Sequence, residues 1–172
     1  MSMNHPATVR PAVPEDRAAI RAVEARAFGR DDEADLVEAL VAGGDDVLEL
    51  VAEQDGQSVG HVLFTRLKVR GAAQDISAVA LAPLAVLPEF RNVGIGRALV
   101  EEAHSLLRKR DETLSVVLGE PAYYRRFGYS HARAAGFDSV FQCVELMALA
   151  WGDAPMEGRL IYAPAFGAEA AG

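Results

Sequence analysis

The stretch from Ile76 to Gly119 restricts the fold more than any other part of the chain. It opens with an apolar strand, "ISAVALAPLAV", and passes through a loop with two closely spaced glycines, "RNVGIG". The clearest helical pattern in the sequence follows, from Gly94 to Asp111, and then a short buried strand, "LSVVLG". On the helix, Ile95, Ala98, Leu99, Ala103, Leu106 and Leu107 form one apolar face, with Glu101, Glu102, Arg108 and Lys109 off it. A strand, a helix and a second strand in this order make a crossover within one sheet. Pro83 has no N–H for the ladder, so it marks an edge or a bulge in the first strand.

Around this unit the pattern reads as shorter elements. "ATVRPAV" is an extended piece ending at Pro11. Pro14 opens a helix, "PEDRAAIRAVEARAFG", with Ile20, Val23 and Ala27 on one face and Gly29 as its stop. "DDEADLVEALVAGG" repeats the pattern with Leu36, Val37, Leu40 and Val41. "DVLELVAEQDGQSVGHVLFTRLKVR" alternates and breaks at Asp55-Gly56, a hairpin signal. "PAYYRRFGY" is a short helix ending at Gly128, and "QCVELMALAW" and "GRLIYAPAF" read as a closing strand pair. The tail, residues 167–172, is expected to fray. Hairpins plus one crossover give an α/β fold with a mixed sheet and helices on both faces. Residues 1–172 carry no repeat or linker and are expected to form one domain.

Composition removes several function classes. Seventeen basic residues against twenty-five acidic give a net charge of −8, which argues against nucleic acid as a partner because that backbone needs a basic face. Cys143 is the only cysteine, so no internal disulfide or cysteine metal site is possible; a buried strand thiol is expected there. The histidines, His5, His61, His104 and His131, are scattered without metal-ligand spacing, so no metal is expected, and His104 falls on the polar side of its helix. The start has no apolar signal region and no run approaches about 20 apolar residues. The expectation is a reduced, cytoplasmic protein with no membrane partner.

The glycine loop leads into a helix, and helix-start amides make an anion site. The dinucleotide fingerprint G-x-G-x-x-G fails, because Leu99 stands where its third glycine belongs and the loop is far from its strand. The phosphate-loop motif fails too, since no Gly-Lys-Ser/Thr follows. What remains is Arg91-Asn92-Val93-Gly94-Ile95-Gly96, preceded by Val86-Leu87-Pro88. The segment "LAPLAVLPEFRNVGIGRALV" resembles the acetyl-CoA-binding segment of the GNAT superfamily of N-acetyltransferases, whose signature is Arg/Gln-x-x-Gly-x-Gly/Ala. A second block, "VLGEPAYYRRFGY", is similar to that family's late motif, a helix carrying Tyr and ending in Gly-Phe/Tyr. The resemblance spans roughly Ala7 to Phe166 and extends to a bacterial branch whose substrates are mostly unassigned.

The resemblance implies a GNAT-like, mostly antiparallel central sheet of six to seven strands with about four helices on both faces. It implies acetyl-CoA as acyl donor and a small-molecule or protein amine as acceptor, in a monomer or homodimer. Amides from Val93 to Gly96 would face the coenzyme pyrophosphate, with Gly94 and Gly96 permitting close approach and Arg91 and Arg97 adding charge. The glycines serve tight helix–sheet packing in the competing reading. Leu84, Ala85 and Val86 would offer backbone groups to the amide-bearing pantetheine arm. Tyr124 occupies the family position whose phenol can protonate the coenzyme sulfur; its alternative is an aromatic that only packs. Tyr123, its neighbour, would point elsewhere, into the core. Many relatives carry a glutamate on the strand before the glycine turn, but Ile76 to Val86 has none, so the base is unassigned. Glu120, Asp75 and the acids from Asp31 to Glu33 are candidates only. Acids bunched in "GRDDEADLVE" favour a cationic acceptor. The missing strand acid leaves a second reading open, a catalytically silent acyl-CoA-binding sensor.

Overall fold

The computed structural model describes residues 5–172. Strand β1 (Thr8–Pro11) precedes a 3-10 turn that runs into α1 (Arg17–Phe28), and α2 (Asp32–Ala42) follows. Gly29 ends α1 in the left-handed conformation at φ 70°, the stop its position suggested. The hairpin of β2 (Asp46–Gln54) and β3 (Gln57–Arg70) turns at Asp55 and Gly56, which both hold positive φ. Then come β4 (Asp75–Val86), α3 (Ile95–Lys109), β5 (Leu114–Leu118), α4 (Pro121–Tyr124) and α5 (His131–Ala134). The chain closes with β6 (Phe137–Asp138), β7 (Leu146–Ala150) and β8 (Gly158–Ile161).

The sheet has eight strands with the main order β1-β2-β3-β4-β5-β7. Most neighbours are antiparallel; β4 and β5, joined through α3, are parallel, as the crossover requires. The last two long segments do not pair with each other. Instead β7 pairs with β5, while β8 extends the β2 side of β3 and also takes β6. The tail does not fray: the Ala170 carbonyl accepts from the Tyr162 N–H at 2.9 Å, and Ala170 is buried. Cys143 is exposed in the turn before β7 rather than buried in a strand.

Helix α3 covers one face of the sheet, packing Leu99, Val100, Ala103 and Leu107 on Leu50, Val62 and Phe64. Its buried stripe is rotated from the sequence reading: Ala98 is exposed, while Val100 and His104 turn inward. Leu99 and Leu107 are fully buried, so truncating either to alanine costs about 2–5 kcal/mol. Helices α1 and α2 cover the opposite face, where Ile20, Val37 and Leu40 meet Val51 and Leu63. Among the described residues no helix is long and apolar enough to cross a membrane.

Two irregularities open the sheet. Leu63 of β3 stands opposite both Ala82 and Pro83, so Pro83 lies in a bulge, where β4 has also lost its β5 neighbour. The pairing of β4 with β5 extends only over Val79–Leu81 and Ser115–Val117. Beyond Leu81, β4 continues along β3 to Val86 with no strand on its other flank.

Candidate functional site

The open flank of β4 meets the start of α3 in a cleft of about 410 Å³. Gly94 is the helix N-cap in the left-handed conformation, φ 90°, and Asn92 before it has φ 63°. The first helical bond runs from the Ala98 N–H to the Gly94 carbonyl at 2.9 Å. The N–H groups of Ile95, Gly96 and Arg97 therefore have no acceptor inside the helix, at its positive end. Leu84, Ala85 and Val86 form one wall of the cleft; Arg91, Asn92 and Gly94 lead to Ile95, Gly96 and Arg97 on the next. Tyr124 closes the far side. Val93 alone among the expected cofactor residues is absent from the lining, and its side chain is 71% exposed.

The two glycines serve different ends. A Cβ on Gly94 would meet nothing, so glycine is there for its positive φ. A Cβ on Gly96 would collide with the Tyr123 hydroxyl, so glycine is there for a close approach. Tyr123 thus lies over the start of α3 inside the cleft and does not enter the core, which corrects the sequence reading. The Arg126 guanidinium stacks on its ring at 4.9 Å. Tyr124 is the more buried of the pair, and its ring covers Gly119, where a Cβ would strike it. Behind it stands Tyr129, centroids 5.9 Å apart and rings perpendicular. Burial, with a smaller contribution from Tyr123, pushes the Tyr124 phenol well above its ordinary value.

The arginines also differ from expectation. Arg91 donates from Nε to the Val86 carbonyl at 3.2 Å and from a terminal nitrogen to the Ala27 carbonyl at 2.7 Å. It ties the end of β4 to the end of α1 and is more than a charge near an anion. Arg97 is exposed and pairs with Glu101 at 2.8 Å. The proposed bases are dispersed. Glu120 lines the cleft from the N-cap of α4. Asp75 begins β4, roughly 35 Å along the strand from Val86 at about 3.3 Å per residue. The acids after Phe28 carry their own counter-charges: Arg30 meets Glu33 and Asp32, and Arg21 meets Asp35 at 2.9 Å and Glu38 at 3.2 Å.

Two polar groups escaped the sequence reading. On the α1 side, His61 is fully buried with Nδ1 2.6 Å from Glu24 Oε1 and Nε2 2.7 Å from Glu49 Oε2, and Arg17 pairs with Glu49. Hydrogen bonds to the two carboxylates raise the His61 pKa against the opposing effect of burial. Burial raises that of Glu24, while His61 and Arg17 hold Glu49 below its usual range despite burial. The one available signal was a glutamate on the face of α1 that also carries Ile20 and Val23. On the α3 side, the Tyr129 hydroxyl bonds Ser115 at 2.7 Å and His104 at 2.9 Å. His104 packs edge-on against Trp151 and Phe64, and burial lowers its pKa to about 4, so it is neutral and not a solvated polar side chain.

The model of the acetyltransferase (GNAT) domain family matches residues 8–132. The chain is 39% identical over 142 residues to the uncharacterized N-acetyltransferase YhbS of Escherichia coli, covering 78% of this chain and 84% of that protein. It is 40% identical over 116 residues to the uncharacterized N-acetyltransferase YjhQ of the same organism, spanning 66% of this chain and 64% of YjhQ. Among solved structures, YhbS in complex with CoA superposes with a TM-score of 0.86 and 32% identity, over 96% of this chain and 94% of that one. A GNAT family acetyltransferase from Brucella melitensis in complex with acetyl-CoA gives 0.81 and 33%, over 95% and 99%.

Proposed function

The chain belongs to the GNAT acetyltransferase family, and on that premise we propose that it transfers an acetyl group from acetyl-CoA to a primary amine by direct attack. The observation that carries this reading is the meeting, in one cleft, of the unpaired flank of β4 with three unsatisfied amides at the glycine-led start of α3. These features fit coenzyme A. Its pyrophosphate matches helix-start amides, and its amide-bearing arm matches an open strand flank. When bound, acetyl-CoA supplies a thioester whose sulfur can depart as a thiolate.

Each protein group then has a defined task. Ile95, Gly96 and Arg97 hold the diphosphate through backbone N–H groups. Leu84, Ala85 and Val86 orient the arm so that the thioester lies near Tyr124. Tyr124, whose phenol is protonated at neutral pH, gives its proton to the departing sulfur. The amine reaches the site mostly as ammonium, since a lysine-like group of pKa about 10.4 is roughly one part in a thousand neutral at pH 7. Among the described residues Glu120 is the only carboxylate in the cleft wall. The ion pairs made by the acids after Phe28 weaken, but do not remove, the case for a cationic acceptor.

Calorimetry with coenzyme A, and thiol release from acetyl-CoA over a panel of amines, test the proposal. Gly94→Asp introduces a side chain with space to fit but with an unfavourable φ and a negative charge at the anion site. Affinity should fall at least about tenfold, roughly 1.4 kcal/mol, with the fold retained. Equal affinity in a folded variant would place the coenzyme elsewhere, and binding without turnover on any amine would make the protein a sensor.

A further inference from the structure

Glu24, His61, Glu49 and Arg17 gather behind the wall of the cleft. His61 on β3 is paired in register with Ala85 of β4. Glu24 lies one helical turn before Ala27 and Phe28, and Ala27, Phe28 and Ala85 all line the cleft. In front, Arg91 spans the Ala27 and Val86 carbonyls. The last two turns of α1 are thus tied at two points, by Arg91 outside and by the Glu24–His61 bond inside.

An ionised carboxylate only accepts hydrogen bonds, so two carboxylates on one imidazole require both ring nitrogens to donate. When both carboxylates are ionised, Arg17 and a doubly protonated His61 balance their two negative charges. The partners are not equally secured. Glu49 has Arg17 as well as His61, whereas Glu24 Oε2 is buried without a partner and Oε1 has His61. Loss of one proton from His61 sets a lone pair against a carboxylate oxygen, and the contact that opens is the one to Glu24.

We propose that Glu24 and His61 are positioning residues of the donor site, holding the Ala27–Phe28 wall against β3 and β4 so that the cleft is shaped for acyl-CoA. This rests on the reading of the cleft as an acetyl-CoA site. The groups that face the histidine are Glu24 from α1 and Glu49 from β2; Arg17 of α1 bears on it through Glu49, and Glu33 of α2 acts on Glu24 at longer range. From Ile76 to Val86, β4 brings no ionisable side chain. Donor affinity is therefore linked to one proton held by the Glu24–His61 pair.

The test measures acetyl-CoA affinity by calorimetry and steady-state constants, well below the melting temperature, for wild type, Glu24→Gln and His61→Gln. Leu160→Ala, in the distant core where β8 joins β3, supplies a destabilised control. Both cluster variants should lose at least about fivefold in donor affinity and show a raised donor KM with kcat changed less. Wild-type affinity should fall severalfold as pH rises from about 6.5 through the folded His61 value, and His61→Gln should be flat over the same range. Leu160→Ala should lose melting temperature and keep its affinity within about twofold. Cluster variants that lose stability yet bind acetyl-CoA like wild type would overturn the proposal. So would a loss confined to kcat, which would put Glu24 against the acceptor. If neither variant folds, the wild-type pH series decides, and a flat series overturns it. Should wild type bind no acetyl-CoA, or Gly94→Asp bind like wild type, the donor-site reading fails and takes this one with it.

Discussion

Tyr123 and Tyr124 are adjacent in sequence and share a cleft, yet they sit in different surroundings. Tyr124 is anchored by Gly119 and Tyr129, while Tyr123 lies over Gly96 with Arg126 on its ring. Tyr124→Phe removes one oxygen and keeps the packing, so kcat should fall by roughly a hundredfold, the lower end for general-acid help, with coenzyme A affinity nearly unchanged. An exposed phenol would impose an alkaline limb near its ordinary pKa of about 10. Burial moves this one higher, so the wild-type rate should keep rising with pH through that region as the amine deprotonates. An alkaline fall that disappears in Tyr124→Phe would show that the ring is solvated during turnover. Gly119→Ala should lower kcat without touching the hydroxyl, because the new methyl displaces the ring. If Tyr123→Phe is the inactive variant instead, the acid is the outer tyrosine. The motif marked Tyr124, but only the packing distinguishes the ring that is held from the ring that covers the helix start.

At the scale of elements, the cleft is made by a helix that starts in the right place and a strand that loses its neighbour. The glycine loop and the α3 pattern are local, and both were readable. The bulge at Pro83 was readable as an irregularity, but an interior strand with one free flank was not, because that depends on where β5 stops pairing. Arg91 shows how the parts are joined: one guanidinium spans β4 and α1 through two carbonyls. Arg91→Lys keeps the charge but cannot make both contacts, since an ammonium lacks the planar fork. Coenzyme A affinity should drop roughly fivefold, about the worth of one net hydrogen bond. Arg97→Ala, which breaks only an exposed pair with Glu101, should cost less. Equal losses in the two variants would mean that both arginines act simply as charges on the phosphates.

At the scale of the whole molecule, buried charge makes stability depend on pH in two directions. Asp16 is held down to about 2, chiefly by its bond to Arg10 at 2.8 Å, and Glu49 is also held below its usual range. Depressed acids contribute stability that is full above their unfolded values near 4 and lost as pH falls through the folded ones. The His61 pKa is raised, so its contribution is full below about 6.5 and is lost as pH rises through the folded value. The melting temperature should therefore fall on both sides of a plateau, and the fall above pH about 6.5 should be smaller in His61→Gln. The same alkaline slope in that variant would assign it to another group. Sequence alone determined the order of the longer elements but not α5 and β6, and it determined the hairpin at Asp55-Gly56, the crossover helix and its glycine start, because periodicity and turn chemistry act over a few residues. Tertiary structure decided what stands beside what: β8 on β3 and not on β7, His104 inside and Cys143 outside, Tyr123 on Gly96, and His61 between two carboxylates. Those outcomes depend on partners 12 to 93 positions away, as Glu49 is from His61 and Ile161 from Lys68. A side chain's burial and charge state are set by such neighbours, which no local pattern records.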